Sequence, residues 1–185
     1  MGNGMNKVVD GLYLGNIRDA ENRESLSQNG ITHILSVYNN AKPVFEDMTY
    51  LCIHAADASS QNLLAGVSRS TTMVVAYLMT TTRYSWDECL SAVKAVRSFV
   101  GPNYGFQQQL QEYQMTKVSE YRAWLQASFC PSPFKDQEQV GALLRQYTEQ
   151  QQQESQRRGA DQRWMNRDVG VCALPYEPND AEGDS

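Results

Sequence analysis

The chain has 185 residues, 41% of them hydrophobic, enough for one domain with a core of its own and a polar remainder. Its 16 Lys and Arg against 21 Asp and Glu give a net charge of -5, which leaves no general basic surface and argues against a nucleic-acid partner. The four cysteines, Cys52, Cys89, Cys130 and Cys172, show neither CxxC pairing nor the histidine spacing of a zinc site, so free thiols and no metal or cofactor are expected.

No apolar run approaches the roughly 20 residues needed to span a bilayer, and the first residues lack the basic and apolar regions of a signal peptide. The expectation is a cytoplasmic protein. Gly2 stands where N-myristoylation would occur, although Asn6 occupies the position that prefers Ser or Thr. A flexible start and a lipidated one both stay open. A single myristoyl chain gives marginal, reversible membrane binding, so lipidation implies a protein shared between cytosol and the inner face of the plasma membrane.

In chain order, Val8-Val9 and Leu12-Tyr13-Leu14 around Asp10-Gly11 predict a short hairpin. Asp19 is expected to cap a helix over 20–28 that stops at Asn29-Gly30. The β-branched and apolar run over 31–38 predicts a buried strand, in which His33 reads as structural. A second strand is expected over 48–53, leading into His54-Ala55-Ala56-Asp57.

The next stretch breaks the pattern. A parallel strand returning to the same sheet needs a crossover of about 10–12 residues or more, usually helical, and then a strand of about five. The residues from His54 to Leu63 carry neither a β-branched run nor a 3.6-residue apolar period. Ten loop-forming residues cannot supply both a crossover and a strand.

Regular pattern resumes with Leu64-Ala65-Gly66-Val67-Ser68-Arg69-Ser70, a small-residue loop running into an apolar helix expected over 68–82. Unpaired backbone N–H groups at a helix N-terminus and a planar guanidinium suit a phosphate anion. Ser85-Trp86-Asp87-Glu88 has the spacing of a capping box and opens a helix with Cys89, Leu90, Val93, Val96 and Val100 on one face. A last long helix is expected from about Asn103 past Tyr113 and Tyr121 to Trp124-Leu125. Pro131-Ser132-Pro133 then interrupts the chain, a weak helix is expected from Asp136 to about Gln153, and 155–185 reads as disordered.

The string Ala65-Gly66-Val67-Ser68-Arg69-Ser70 resembles the phosphate-binding loop of the atypical dual-specificity protein phosphatases, within the cysteine-dependent protein-tyrosine-phosphatase superfamily. Gly11-Leu12-Tyr13-Leu14-Gly15-Asn16 and the Pro102-Asn103-Tyr104-Gly105-Phe106 stretch resemble the family in the same order, and Met1-Gly2-Asn3-Gly4 resembles its N-myristoylated, JNK-pathway-associated members. The resemblance implies an α/β fold, a protein-tyrosine-phosphatase-like sheet flanked by helices, over a domain at 1–127 interrupted near 58–64, where the family's helix and central strand before the phosphate loop are expected to be missing. Residues 128–185 would form a C-terminal tail.

It also implies roles. Leu64, Ala65, Gly66, Val67, Ser68 and Arg69 would bind phosphate, with Arg69 as the clamp. Ser70 would aid breakdown of the phosphocysteine intermediate, and Asp57 would be the general acid. The family's histidine falls on Asn62 and its nucleophilic cysteine on Leu63, and no cysteine, serine or threonine takes that place. Loss of a nucleophile removes orders of magnitude in rate. By resemblance the partners are phosphorylated signalling proteins, and this chain is expected to be inactive or pseudophosphatase-like. Two alternatives are an active phosphatase, if the sequence has lost a segment, and a membrane-associated adaptor.

Overall fold

Hairpin chemistry shapes the start of the chain. In the structure, a computed structural model, residues 4–54, 65–129 and 134–168 are described, with side chains outside 65–67 and 160–168. Strand β1 (Asn6–Val9) pairs antiparallel with β2 (Leu12–Leu14), and Gly11 makes the turn at φ 78, the left-handed region that costs a side chain-free residue little. Val8, Val9 and Leu14 are buried, so the hairpin lays its apolar residues on the core.

Helices α1 (Ile17–Ala20) and α2 (Arg23–Gln28) stand where one helix over 20–28 was expected. The cap also differs. Asn16 is the N-cap of α1, accepting from the N–H groups of Arg18 and Asp19, while Asp19 reaches back to the Asn16 N–H at 2.8 Å. Asp19 is thus the reciprocal member of a capping box, and Asn22 caps a separate second helix through the Ser25 N–H. Two nearby asparagines each offer the chain a local acceptor, which is what divides the segment.

Strand β3 (His33–Val37) pairs in parallel with β4 (Thr49–Ile53), Leu35 opposite Leu51 and Val37 opposite Ile53. Among the described residues the four strands form two separate two-stranded sheets, β1–β2 and β3–β4. Helix α3 (Ala65–Thr81) packs on both β2 and β3, so it spans the two half-sheets that share no ladder. Leu35 and Leu51, opposite each other on one face of the parallel pair, are 46% and 62% exposed. Parallel sheets are normally covered on both faces; here Val37 on the same face is buried while the two leucines are exposed.

The core is built around α3 and α4 (Trp86–Val96): Val75, Leu78, Met79, Cys89 and Val93 are fully buried. At the head of α4 the Ser85 N–H donates to Glu88 at 2.9 Å, the carboxylate half of the expected capping box. The expected last long helix is two helices, α5 (Tyr104–Thr116) and α6 (Val118–Phe129), parted at Lys117. Val118, directly after the break, is buried, and Tyr113 and Tyr121 stack with centroids 6.0 Å apart across it. The break at Lys117 lets Val118 join the core and Tyr113 pack against it, a tertiary gain that helix periodicity does not encode.

Helix α7 (Asp136–Asp168) starts where a weak helix was expected and runs beyond its expected end near Gln153, into the stretch read as disordered, of which 169–185 lie outside the described residues. The first compact unit runs to Glu149, beyond the boundary at 127 expected from the sequence, because Val140 is fully buried and Leu143 and Leu144 pack against the core. Gln139 ties this helix to the hairpin turn by accepting from the Asp10 N–H at 2.7 Å. Taken by itself, the second unit, Gln150–Ser185, is helical to Asp168, with residues 151–159 exposed. No described helix is long and apolar enough to cross a membrane.

Candidate functional site

Ser68, Arg69 and Ser70 lie in the first turns of α3, the helix that the core is packed around. The helix begins at Ala65 rather than near Ser68, so Ala65, Gly66 and Val67 stand in its first turn, where backbone N–H groups have no partner within the helix. Arg69 is only 8% exposed, a depth at which arginines are almost always engaged by partners. Asp57, Leu63 and Leu64 fall outside the described residues, as does Gly2.

Two long-range contacts fix α3 at its ends. Near the N-terminus, the Ser68 hydroxyl accepts the backbone N–H of Asn103 at 3.1 Å. Asn103 is itself the N-cap of α5, its side-chain oxygen accepting from the Phe106 N–H at 2.9 Å, and Gln107 steadies the same turn by donating to the Pro102 carbonyl at 2.9 Å. The Pro-Asn-x-Gly-Phe stretch therefore does more than start a helix: it braces the turn that carries Ser68 and Arg69.

At the other end, Arg122 donates from Nε and Nη2 to the Met79 carbonyl at 3.0 and 2.7 Å. A cation there satisfies an otherwise orphaned carbonyl and complements the negative end of the helix. Along the helix, the hydroxyls of Thr80 and Tyr113 lie 2.7 Å apart, and Tyr77 donates to Asp136 at 3.0 Å. Burial and the Asp136 carboxylate both hold the Tyr77 phenol protonated well above its ordinary range. Sequence reading missed Asn103, Arg122 and Tyr113 as supports of this helix. Only the Asn103 motif carried a signal, and its partner is 35 positions away.

Of the two described cysteines, Cys89 supplies no thiolate. Cys89 is fully buried on α4, and burial pushes its thiol up to about 12. A thiol of that kind is neutral at physiological pH, the opposite of an activated nucleophile. Cys52 lies on β4, away from the head of α3 in the chain and on a strand rather than at a helix N-terminus.

Residues 64–116 match the family described as "Dual specificity phosphatase, catalytic domain". The match starts at Leu64, the point at which the sequence pattern resumes. "Dual specificity protein phosphatase 22-A" of Danio rerio is 65% identical over 208 aligned positions, covering 99% of each chain. "Dual specificity protein phosphatase 22" of Homo sapiens is 46% identical over 169, covering 78% of this chain and 92% of the human protein. The crystal structure of DUSP15 superposes with a TM-score of 0.64 at 38% identity, covering 71% of this chain and 100% of that one. The structure of a human tyrosine phosphatase-like serine/threonine/tyrosine-interacting protein gives 0.56 at 28% identity, covering 62% and 97%.

The alignment lengths carry a second finding. Since 99% of 185 residues is about 183, a 208-position alignment leaves about 25 positions opposite no residue of this chain. For the human protein, 78% of 185 is about 144, and 169 positions leave about 25 again. Relatives of different identity thus carry the same excess of positions within the aligned region. With its α/β architecture, its family match from Leu64 onward and a relative 65% identical along nearly its whole length, the chain belongs to the dual-specificity phosphatase family.

Proposed function

We propose that this chain is a catalytically silent member of its family, one that keeps the phosphate-clamp helix and lacks the nucleophile. The observation that carries the reading is Leu63 in the place of the nucleophilic cysteine, with no cysteine preceding Arg69 by the family's gap of five intervening residues. The deficit of about 25 positions against its relatives and the neutral, buried Cys89 support it. So does the likeness to a structure named for interaction, the tyrosine phosphatase-like serine/threonine/tyrosine-interacting protein.

On this reading the partners are phosphorylated signalling proteins, of the JNK branch of the mitogen-activated kinase pathways, met without turnover. Gly2 carries a myristoyl group that returns the protein reversibly to the inner face of the plasma membrane, and the rest of the population is cytoplasmic. Asp57 and Ser70 persist as the acid and hydroxyl of a reaction that no longer begins.

The test is hydrolysis of p-nitrophenyl phosphate and of a phosphotyrosine peptide by the purified full-length chain. The expected result is no rate above background. Turnover that is lost on Asp57→Ala or Arg69→Ala would overturn the reading, because it would place a working nucleophile in this protein.

A further inference from the structure

The dipeptide Asn-Gly occurs twice in the chain, at Asn3-Gly4, whose asparagine lies outside the described residues, and at Asn29-Gly30. The second closes α2. Asn29 is the C-cap, and Gly30 follows in the left-handed region at φ 64. The Gly30 N–H donates to the Ser27 carbonyl at 3.0 Å and the Ile31 N–H to the Leu26 carbonyl at 2.9 Å, the paired bonds of a Schellman stop. The Asn29 side chain adds a bond of its own, Nδ2 donating to the Ser25 carbonyl at 2.8 Å.

An asparagine followed by glycine is chemically labile, because the next residue has no Cβ to shield its backbone nitrogen from the asparagine side chain. The folded turn opposes that reaction. With Asn29 at ψ 6 the Gly30 nitrogen eclipses the Asn29 nitrogen, whereas closing a five-membered ring needs it beside Cβ. The Gly30 N–H is engaged by Ser27 and the Asn29 carboxamide by Ser25. Opening is nevertheless within reach, since α2 has six residues, only Leu26 of them buried, and both Asn29 and Gly30 are exposed.

We propose that Asn29 is a site of spontaneous deamidation, gated by opening of the turn that ends α2. In the open turn the Gly30 nitrogen attacks the Asn29 side-chain carbonyl carbon and gives up its proton as the new C–N bond forms. The bond from that carbon to Nδ2 breaks, and the proton leaves with Nδ2 as ammonia. Water then opens the ring at one of its two carbonyls, yielding aspartate or isoaspartate. Neither product rebuilds the stop. Both lose the donor to Ser25 and place a carboxylate at the negative end of α2. Isoaspartate also lengthens the main chain by one methylene, taking the Gly30 and Ile31 N–H groups out of register with Ser27 and Leu26 just before β3. The reaction needs nothing from the phosphate clamp.

The full-length chain and a synthetic peptide of residues 25–33 are incubated side by side in neutral buffer. Position 29 is followed by peptide mapping with mass spectrometry and by labelling with an isoaspartyl methyltransferase. Both should convert, the chain about tenfold or more slowly, as a reaction confined to the opened turn requires. Asn22 caps the other end of α2 by accepting the Ser25 N–H at 3.1 Å. Asn22→Ala should therefore raise the rate at position 29 by about fivefold, the opening gained when an N-cap is lost, with the circular dichroism spectrum unchanged. Asn29→Gln should abolish the label at this position and leave that at Asn3. An asparagine that persists in the chain while the peptide converts overturns the proposal. So does a rate in the chain equal to the peptide's, or one that Asn22→Ala leaves unchanged, since the turn would then not be the gate.

Discussion

The Ser68 hydroxyl receives the Asn103 backbone N–H at 3.1 Å, joining two segments 35 positions apart that both match the family's pattern. Ser68→Ala removes the acceptor and leaves that N–H without its partner, at a cost of about 1–3 kcal/mol. Asn103→Ala removes the α5 cap at about 1 kcal/mol. Because both changes loosen the same turn, their costs should fall short of additive in a double-mutant cycle followed by urea denaturation. Strict additivity would show that the bond does not couple the two segments.

Arg122 holds the Met79 carbonyl with two donors in a fork that lysine cannot reproduce. Arg122→Met should lower stability by about 1.5–3 kcal/mol, the range for hydrogen bonds to charged groups, and Arg122→Lys should recover only part of it. Thermal unfolding of the three proteins side by side tests the order.

The first turns of α7 belong to the core. Ending the chain after Glu149 should leave cooperative unfolding intact, whereas ending it after Phe129 removes the buried Val140 and should abolish or greatly weaken the transition. Val140→Ala should cost about 2 kcal/mol in the full chain, at about 0.8 kcal/mol per buried methylene plus a cavity contribution. Equal transitions for both truncations would contradict the assignment.

Cys89 gives a pH signature. Its folded thiol is pushed up to about 12 by burial, above an ordinary value of 9.0, so the folded state favours the protonated form. Above pH 9 the unfolded chain sheds this proton while the folded chain keeps it, and stability falls as pH rises toward 12. The contribution is whole below pH 9. Cys89→Ala should flatten that limb of the stability profile, and iodoacetamide at pH 8 should leave Cys89 unmodified until the chain is unfolded.

Where structure follows from neighbours in sequence, it was legible. Asp10-Gly11 between Val8-Val9 and Leu12-Tyr13-Leu14 gave the hairpin, Ser85 to Glu88 gave the start of α4, and Asn103 gave the start of α5. Misreadings came where several local solutions compete. Asn16 and Asp19 both suit an N-cap, and the order in which they bond emerges only in the folded turn. The break at Lys117 and the burial of Val140 are set by packing against α3 and α4, which no window of sequence contains.

The candidate site divides along the same line. Arg69 and Ser68 were found by motif, and the motif also exposed Leu63 as a substitution. The residues that hold the motif in place, Asn103 and Arg122, were invisible as supports because each acts through a backbone atom of a distant helix. A backbone acceptor leaves no residue-type signature to read.

The uncovered leucines on β3 and β4 also bear on how much of this protein a cell can hold. An exposed apolar face on a sheet is a template for pairing with other chains, and such surfaces are what chaperones and proteases triage. Abundance would then follow how well Leu35 and Leu51 are kept from other chains as much as the rate of synthesis.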